Sequence, residues 1–263
     1  MMDKHVFVIC AYKESRYLEA CVESLENQKY PSRIVIATST PNAFIHEIAK
    51  RHNIEVIVND DGQRGIGYDF DFALQSGMNR YVTIAHQDDT YEPDYAAAVV
   101  EAMERYPDGI IAFTDYHEEH DSGIVRSNRN LKIKRLLLFP LRFHVLQKSR
   151  LIKRRVLSLG NPICCPAVTF RRDRVPIPLF ANDFKSNIDW FAWEKLSREK
   201  GSFLYISQDL MMHRVHEEAT TTELIRENKR SKEDYAMFQK FWPDWISRRL
   251  VKVYAKSEEN VNE

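Results

Sequence analysis

The stretch Tyr81–Pro93 (YVTIAHQDDTYEP) decides the fold. Its first half is apolar and β-branched, a pattern typical of a buried strand, and it ends abruptly in two neighbouring carboxylates. Open α/β sheets bind ligands beyond the carboxyl ends of their strands. Because two close carboxylates repel each other unless a cation lies beside them, Asp88 and Asp89 indicate a divalent metal held by oxygen ligands. A solvated Asp-Asp turn that closes the strand is the alternative interpretation.

Strands and helices alternate around this stretch. Apolar runs typical of buried strands occur at His5–Ala11, Arg33–Thr38, Glu55–Asn59 and Ile110–Asp115, and helical patterns separate them. Such alternation predicts an α/β fold with a mostly parallel, doubly wound sheet. We expect the first and the last of these runs to flank the strand Tyr81–Ala85.

The chain after residue 121 is less regular. The patterns predict two basic amphipathic helices over Leu131–Leu159, strands in Asn161–Phe170 and Phe203–Ile206, a helix over Asp189–Lys200, a loop at Met211–Glu218, and helices over Glu223–Phe241 and Asp244–Tyr254. No linker composition separates the two halves, so we predict a single domain.

Several functional classes are disfavoured. No GxGxxG follows the first strand and no GxxxxGK[ST] occurs, which argues against a Rossmann dinucleotide site and a P-loop. No apolar run approaches the ~18 residues of a membrane span and no signal layout opens the chain, so we expect a cytoplasmic protein. The four cysteines, Cys10, Cys21, Cys164 and Cys165, lack metal-binding spacing and are expected to be buried.

The charge is divided unevenly along the chain. Residues 1–121 contain 22 Asp and Glu against 10 Lys and Arg, whereas residues 122–263 contain 16 against 28. Ser122–Arg172 contains 13 Lys and Arg and no acidic residue, which predicts an anionic partner. We expect residues 131–159 to contact an anionic membrane or line a binding groove; helices docked on the sheet with solvated basic groups are the alternative. We expect no nucleic-acid partner.

Five motifs follow one another along the chain. They are Val6–Glu14 with the turn Gln28–Pro31, Phe70–Leu74, His86–Asp89, Ile188–Trp190 and His213–His216. In this order they resemble the inverting glycosyltransferases of family 2, with His86–Asp89 similar to a Q-D-D variant of the D-x-D motif. The resemblance implies a GT-A-type single domain with a doubly wound sheet. Within it, residues 1–121 would bind the nucleotide sugar, residues 122–222 would bind the acceptor and catalyse transfer, and residues 223–263 would form C-terminal helices.

The resemblance also implies a reaction. A sugar would move from a nucleoside diphosphate, with a UDP-sugar favoured, to a hydroxyl of a glycan or lipid-linked acceptor in bacterial cell-surface polysaccharide or glycolipid synthesis, at the inner face of the membrane. The implied cofactor is Mn²⁺ or Mg²⁺, which would neutralise the departing diphosphate. Its implied ligands are Asp89 and His216, with His213 as the alternative. Asp189 is the implied general base that removes the acceptor proton.

The residues implied to contact the nucleotide or the donor sugar lie mostly at strand ends. They are Ala11, Tyr12, Glu14, Thr38, Thr40, Asp61, Asp71, Asp88 and Arg214. Two positions depart from the family pattern. Gln87 stands where many members have a first Asp, and Thr38–Thr40 replaces an acidic residue after the second strand.

Two other functions stay open. A sugar-phosphate nucleotidyltransferase would share the sheet type, but it needs a Gly-rich basic loop where this chain has Tyr12–Ser15. The chain could also be an inactive glycan- or lipid-phosphate-binding partner of another transferase, although Asp88, Asp89 and Asp189 argue against this. Trp190 and Trp193 could stack on an acceptor sugar, but their i, i+3 spacing also suits core packing; we expect one in the core and leave the other open.

Overall fold

The computed structural model describes residues 4–216 and 230–259. The strands are β1 His5–Ala11, β2 Arg33–Thr38, β3 Glu55–Val58, β4 Tyr81–His86, β5 Thr90–Tyr91, β6 Gly109–His120, β7 Gly123–Val125, β8 Val168–Arg171 and β9 Ser202–Arg214. The α-helices are α1 Leu18–Glu26, α2 Ala43–Arg51, α3 Ile66–Ser76, α4 Tyr95–Arg105, α5 Arg129–Leu138, α6 His144–Gln147, α7 Arg150–Leu157, α8 Ile188–Ser197, α9 Arg230–Gln239 and α10 Asp244–Glu259. Within these residues, no helix combines the length and the apolar composition needed to cross a lipid bilayer.

The strands form one sheet in the order β3-β2-β1-β4-β8-β6-β9-β5, with β7 paired to β6. The first four strands in this order are parallel to one another. The expectation that Ile110–Asp115 flanks the central strand is wrong, because β8 lies between β4 and β6 and pairs antiparallel with both. β8 is only four residues long, and the pattern of strand–helix alternation carries no signal for its insertion.

β1 shows why the parallel strands have continuous apolar sequences. Val6 and Val8 pack in the core on one face of the sheet, which includes side chains of α3 and α8. Phe7 and Ile9 pack in the core on the other face, which includes side chains of α1 and α4. Because helices cover both faces, successive residues of the strand are all apolar rather than alternating with polar ones.

β9 is longer than predicted and delivers residues to the site. The predicted loop at Met211–Glu218 is wrong for Met211–Arg214, which continue β9; residues 217 and 218 lie outside the described part of the chain. The pairing of β6 with β9 shifts register after Thr114, and such a bulge bends a strand. The polar residues Ser207–Asp209 lie at this bulge and interrupt the apolar pattern from which the strand could have been recognised.

The predicted pair of helices over Leu131–Leu159 is instead three helices, α5, α6 and α7, with a 3₁₀ turn at Phe139–Arg142. The side chain of Asn128 accepts the N–H of Leu131 at the start of α5, at 2.8 Å. The predicted helix Asp189–Lys200 is α8, and Glu223–Phe241 is described only from Arg230, where α9 begins. The four cysteines are free, two of them buried and two partly buried.

Candidate metal and donor site

Asp88 and Asp89 lie in the turn between β4 and β5, at the carboxyl end of β4. The N–H of Asp89 donates to the carbonyl of His86 at 3.2 Å, which makes the turn tight. β5 then pairs antiparallel with β9, with Thr90 opposite Met212. This register sets Asp89 beside His213, so strand pairing joins residues that are far apart in the sequence.

Asp89 is fully buried, with 0% of its surface exposed. Its Oδ1 lies 3.0 Å from Nδ1 of His213 and accepts the backbone N–H of Arg214 at 2.9 Å. Its Oδ2 is also buried, and residues 4–216 and 230–259 supply no hydrogen bond to it. Burying a carboxylate oxygen without a donor is costly, which marks this atom as a candidate metal ligand.

His86 belongs to the same group of potential ligands. One nitrogen of His86 and one oxygen each of Asp88 and Asp89 lie within 4.8 Å of one another. Nδ1 of His86 lies 3.8 Å from Oδ2 of Asp89, the oxygen to which the described residues supply no hydrogen bond. Because imidazole and carboxylate ligands suit Mn²⁺, these residues fit a divalent cation. The sequence motif His86–Asp89 predicts a metal site, but it predicts no role for the imidazole of His86.

The two predicted histidine ligands lie beside this group. Nε2 of His216 is 3.0 Å from Oδ2 of Asp88, and His213 is paired with Asp89. Burial disfavours the charged form of His213, but the charge and hydrogen bond of Asp89 outweigh it and raise the pKa of His213. Burial likewise opposes ionisation of Asp88, while the hydrogen bond from His216 and the nearby histidines lower the pKa of Asp88. The structure therefore brings together Asp88, Asp89 and both histidines.

Arg214 is held by three contacts. Its Nε donates to the carbonyl of Asp88 at 3.0 Å, its guanidinium pairs with Glu119, and it lies over the ring of Tyr17 at 4.3 Å. These residues border a polar pocket of about 210 Å³, lined by Tyr17, Glu119, His120, Asp121, Arg214, Val215 and His216. A phosphate bound by Arg214 would compete with Glu119.

Gln87, the departure in the motif, has a structural task. Its Oε1 accepts the N–H of Tyr12 and its Nε2 donates to the carbonyl of Tyr12, both at 3.0 Å. The side-chain amide thus pairs with the backbone just beyond β1. An aspartate could not donate the second of these bonds, so Gln87 fixes the loop after β1 to the end of β4.

The other predicted donor contacts lie at the same edge of the sheet, with one exception. Ala11 ends β1 and Thr38 ends β2, and both are buried. The Oγ1 of Thr40 accepts the N–H of Lys13 at 2.6 Å, which ties the loops after β1 and β2 together. The side chains of three further residues at this edge are exposed, namely Tyr12, Glu14 and Asp61.

Asp71 is the exception. It is buried in α3, and its two oxygens accept the N–H groups of Leu179, Phe180 and Ala181 at 2.6–3.1 Å. Gly67, one turn earlier, permits this close approach, because a Cβ there would lie 2.7 Å from the carbonyl oxygen of Phe180. The carboxylate therefore holds the loop before α8, which corrects the expectation that it contacts the donor.

Asp69 is a candidate that the motifs did not reveal. Burial raises the pKa of its carboxyl group, and the polar side chains of its neighbours Ser39 and Asn59 partly offset this rise. These neighbours follow β2 and β3, so the carboxylate lies at the edge where the other donor residues gather. Its Oδ1 is buried and finds no hydrogen-bond donor among the described residues. The absence of an acidic residue at Thr38–Thr40 is a sequence signal that another element at this edge supplies the carboxylate, and Asp69 of α3 is placed to do so.

Asp189 lies in the first turn of α8 and is partly buried. Its Oδ1 accepts the N–H of Trp190 at 2.7 Å and its Oδ2 accepts the side-chain amide of Asn161 at 2.6 Å. Burial lowers the pKa of His86, and the charges of Asp89, Asp88 and Asp189 oppose this shift. The negative charge of Asp189 therefore acts on His86, one of the candidate metal ligands.

The prediction that one of Trp190 and Trp193 lies in the core is met by both residues, so neither is exposed for stacking on an acceptor sugar. Both side chains are fully buried. The indole N–H of Trp190 donates to the carbonyl of Leu157 at 3.0 Å. The ring of Trp193 stacks on that of Phe170 in β8, so both tryptophans belong to the core.

Comparisons with known proteins agree with the fold and with the family resemblance. Residues 6–175 match the family model described as "Glycosyl transferase family 2". A relative from Haemophilus influenzae, described as an uncharacterized glycosyltransferase, is 22% identical over 223 residues. The aligned region is 82% of this chain and 66% of that relative, so the chain spans slightly less than two thirds of the relative's length.

Two solved structures share the architecture. TarS 1-349 of S. aureus, in complex with UDP-GlcNAc, has a TM-score of 0.61 at 11% identity, covering 94% of this chain and 70% of that one. The mannosyltransferase PcManGT from Pyrobaculum calidifontis, in complex with GDP-Man and Mn²⁺, has a TM-score of 0.61 at 14% identity, covering 96% and 69%. At such identities the likeness shows the fold, and the predicted GT-A-type α/β fold is confirmed.

Proposed function

Because the chain belongs to glycosyltransferase family 2, we propose that it transfers a sugar from a nucleoside diphosphate to an acceptor hydroxyl, with a divalent cation at the carboxyl end of β4. One observation carries the proposal. The fully buried Asp89 has an oxygen that receives no hydrogen bond from the described residues, and it lies in a group with His86 and Asp88 whose ligand atoms are within 4.8 Å of one another. Two carboxylates this close repel each other, and a cation beside them relieves that repulsion.

The residues around the cation would have different roles, some binding the metal and one binding the donor. Asp89, His86 and one or both of His213 and His216 would hold Mn²⁺ or Mg²⁺, which when bound neutralises charge on the leaving diphosphate. Asp88 is kept ionised by its histidine neighbours and can accept hydroxyl groups of the ribose or the donor sugar. Each histidine nitrogen that now faces a carboxylate oxygen at 3.0 Å could face the cation instead.

The donor would lie along the edge formed by the ends of β1, β2 and β3. We assign the base or ribose contact to Asp69, because its buried Oδ1 can accept an N–H group of uracil or guanine, or a ribose hydroxyl. Thr38, Thr40 and the backbone near Tyr12 would complete this end. A UDP-sugar stays the favoured donor.

Asp189 would be the general base. Its oxygens accept the N–H of Trp190 and the side-chain amide of Asn161, and these contacts orient the carboxylate at the start of α8. As the acceptor hydroxyl attacks the anomeric carbon on the side opposite the diphosphate, Asp189 would take its proton, and the configuration would invert. The acceptor would be a glycan or lipid-linked hydroxyl of a cell-surface polymer, at the inner face of the membrane.

The test is a thermal-shift screen of UDP, GDP and their sugars with and without Mn²⁺, paired with a transfer assay. We expect a nucleotide to stabilise the protein only with Mn²⁺, and Asp89→Asn to remove that stabilisation. Asp189→Asn should keep the shift and lose transfer, whereas Asp183→Asn, at an exposed position six residues earlier, should keep both. The lack of a metal-dependent shift with every nucleotide would refute the proposal. Near-normal transfer by Asp189→Asn would refute the base assignment.

A further inference from the structure

The outer side of the helices between β7 and β8 carries many exposed apolar side chains. Fourteen large apolar residues are exposed in the described part of the chain, and seven of them lie within residues 133–159. These seven are Ile133, Leu136, Phe139, Phe143, Val145, Leu151 and Leu159. Leu136 is 72% exposed and Leu151 is 67% exposed. Soluble monomers rarely gather such residues in one segment unless another surface covers them.

These side chains share one surface, which we name the α5–α7 surface. In α5, the residues at positions 129, 132, 133 and 136 follow helical spacing and therefore lie on one face, and each is exposed. The rings of Phe139 and Phe143 touch edge to face with centroids 5.7 Å apart. The opposite sides of α5 and α7 are buried in the core through Leu131, Leu138 and Val156. α7 contacts both α5 and α6, and the 3₁₀ turn Phe139–Arg142 contacts all three helices, so the exposed residues belong to one packed unit.

Unpaired cations surround the apolar side chains. Six basic residues of this segment are exposed, and no ion pair joins any of them to a carboxylate of residues 4–216 or 230–259. They are Arg129, Lys132, Arg142, Lys148, Arg150 and Arg155. Other cations of the acid-free block are paired, since Arg135 binds Asp115 and Arg154 binds Glu194. Apolar groups mixed with cations that have no carboxylate partner suit the headgroup region of an anionic bilayer.

The α5–α7 surface lies just behind the candidate site. On the inner side of α5, Lys134 donates to the hydroxyl of Tyr116 at 2.6 Å, and the Tyr116 ring lies 6.3 Å from that of His213. The helix α5 and the side chains of Lys134 and Tyr116 thus connect the surface with a candidate metal ligand. We propose that the α5–α7 surface docks on an anionic lipid bilayer and so holds the site next to a lipid-borne acceptor. Docking on the bilayer does not depend on the proposed function, whereas a lipid-borne acceptor does.

The test is sedimentation of the full chain with vesicles of phosphatidylcholine, alone or with one third phosphatidylserine. We expect binding to the anionic vesicles that weakens in high salt, because each basic residue near such a surface contributes about fivefold in affinity. Lys132→Gln with Arg150→Gln should therefore lower binding by about 20-fold or more. Leu136→Gln with Phe143→Gln should lower it at least as much. Met78→Gln, at a site 83% exposed outside this surface, should leave it unchanged.

The outcomes separate the two proposals. All of these variants should keep the Mn²⁺-dependent nucleotide shift, since none of the changed residues lies in the site. Absence of binding to anionic vesicles, or equal binding by the double variants, would overturn the docking proposal and leave the proposed transferase activity standing. The same holds if the wild type forms a dimer that Leu136→Gln with Phe143→Gln abolishes while vesicles are not bound, because a second copy would then cover the surface.

Discussion

Substitution of Asp71 by Asn should loosen the loop that leads into α8. The carboxylate accepts the N–H groups of Leu179 and Phe180 with Oδ1, and those of Phe180 and Ala181 with Oδ2. An amide has one accepting oxygen, and its NH₂ group can only donate. In Asp71→Asn the NH₂ would therefore replace one carboxylate oxygen and face backbone N–H groups that also donate.

The expected size of the effect follows from these contacts. A hydrogen bond to a charged group contributes about 1.5–3 kcal/mol, and a buried donor left without an acceptor costs about 1–3 kcal/mol. Asp71→Asn loses one such bond and sets two donors against each other, so we expect the free energy of unfolding to fall by about 2–4 kcal/mol. Asp71→Ala leaves all three N–H groups without an acceptor and should lower it further, by about 3–6 kcal/mol.

Urea unfolding followed by tryptophan fluorescence measures this loss, because Trp190 and Trp193 are buried in α8 just after the loop. Asp173→Asn, at an exposed position near the loop, is the matched control and should change the free energy of unfolding by no more than about 0.5 kcal/mol. If Asp71→Asn behaves like this control, the carboxylate does not hold the loop and our account of Asp71 is wrong.

Three further predictions concern charged or titratable groups elsewhere in the chain. His5 is fully buried, which lowers its pKa to about 3. The unfolded chain therefore takes up a proton near pH 6.5 that the folded chain does not, so the free energy of unfolding decreases as the pH falls below about 6.5. Between pH 7 and 5.5 the wild type should lose about 1 kcal/mol more than His5→Gln in urea titrations, and parallel pH profiles would contradict this. The buried guanidinium of Arg171 donates to carbonyls at and beyond the end of α4, so Arg171→Met should lower the free energy of unfolding by about 3 kcal/mol or more, as measured by denaturation. Glu233 accepts the N–H groups of residues 185–187, which lead into α8 and the candidate base Asp189. Glu233→Gln should therefore slow transfer while nucleotide binding stays unchanged. A loss of nucleotide binding would show that Glu233 does not act through α8.

The parallel half of the sheet could be predicted from the sequence because its strands are buried on both faces. In β1 the core positions are consecutive, so the apolar run itself locates the strand. The end of β4 could be predicted for the opposite reason, since Asp88 and Asp89 interrupt an apolar run where the strand leaves the core. The family resemblance added His213 and His216, and the structure places both beside those carboxylates.

The parts that could not be predicted depend on contacts between distant segments. Asp69 and Asp71 lie two positions apart on α3, so they point in different directions, and only the packing of residues 179–181 against the helix decides which one faces the donor edge. The strand character of Met211–Arg214 depends on pairing with β6 and β5 rather than on its own pattern. Gln87 could be recognised as a departure from the family motif, but its hydrogen bonds with the backbone of Tyr12 could not be predicted.

The packing around Trp190 bears on where this chain can be cut. Its indole is covered by the rings of Phe238, Phe241 and Tyr254, which come from α9, α10 and the turn between them. The family match ends at residue 175, well before these rings and before Asp189 itself. A chain truncated after residue 216 would keep every candidate metal ligand, yet it would expose the largest side chain beside the candidate base. The segment that matches the family, residues 6–175, is therefore shorter than the part of the chain that packs together. We expect residues 6–175 expressed alone to be insoluble.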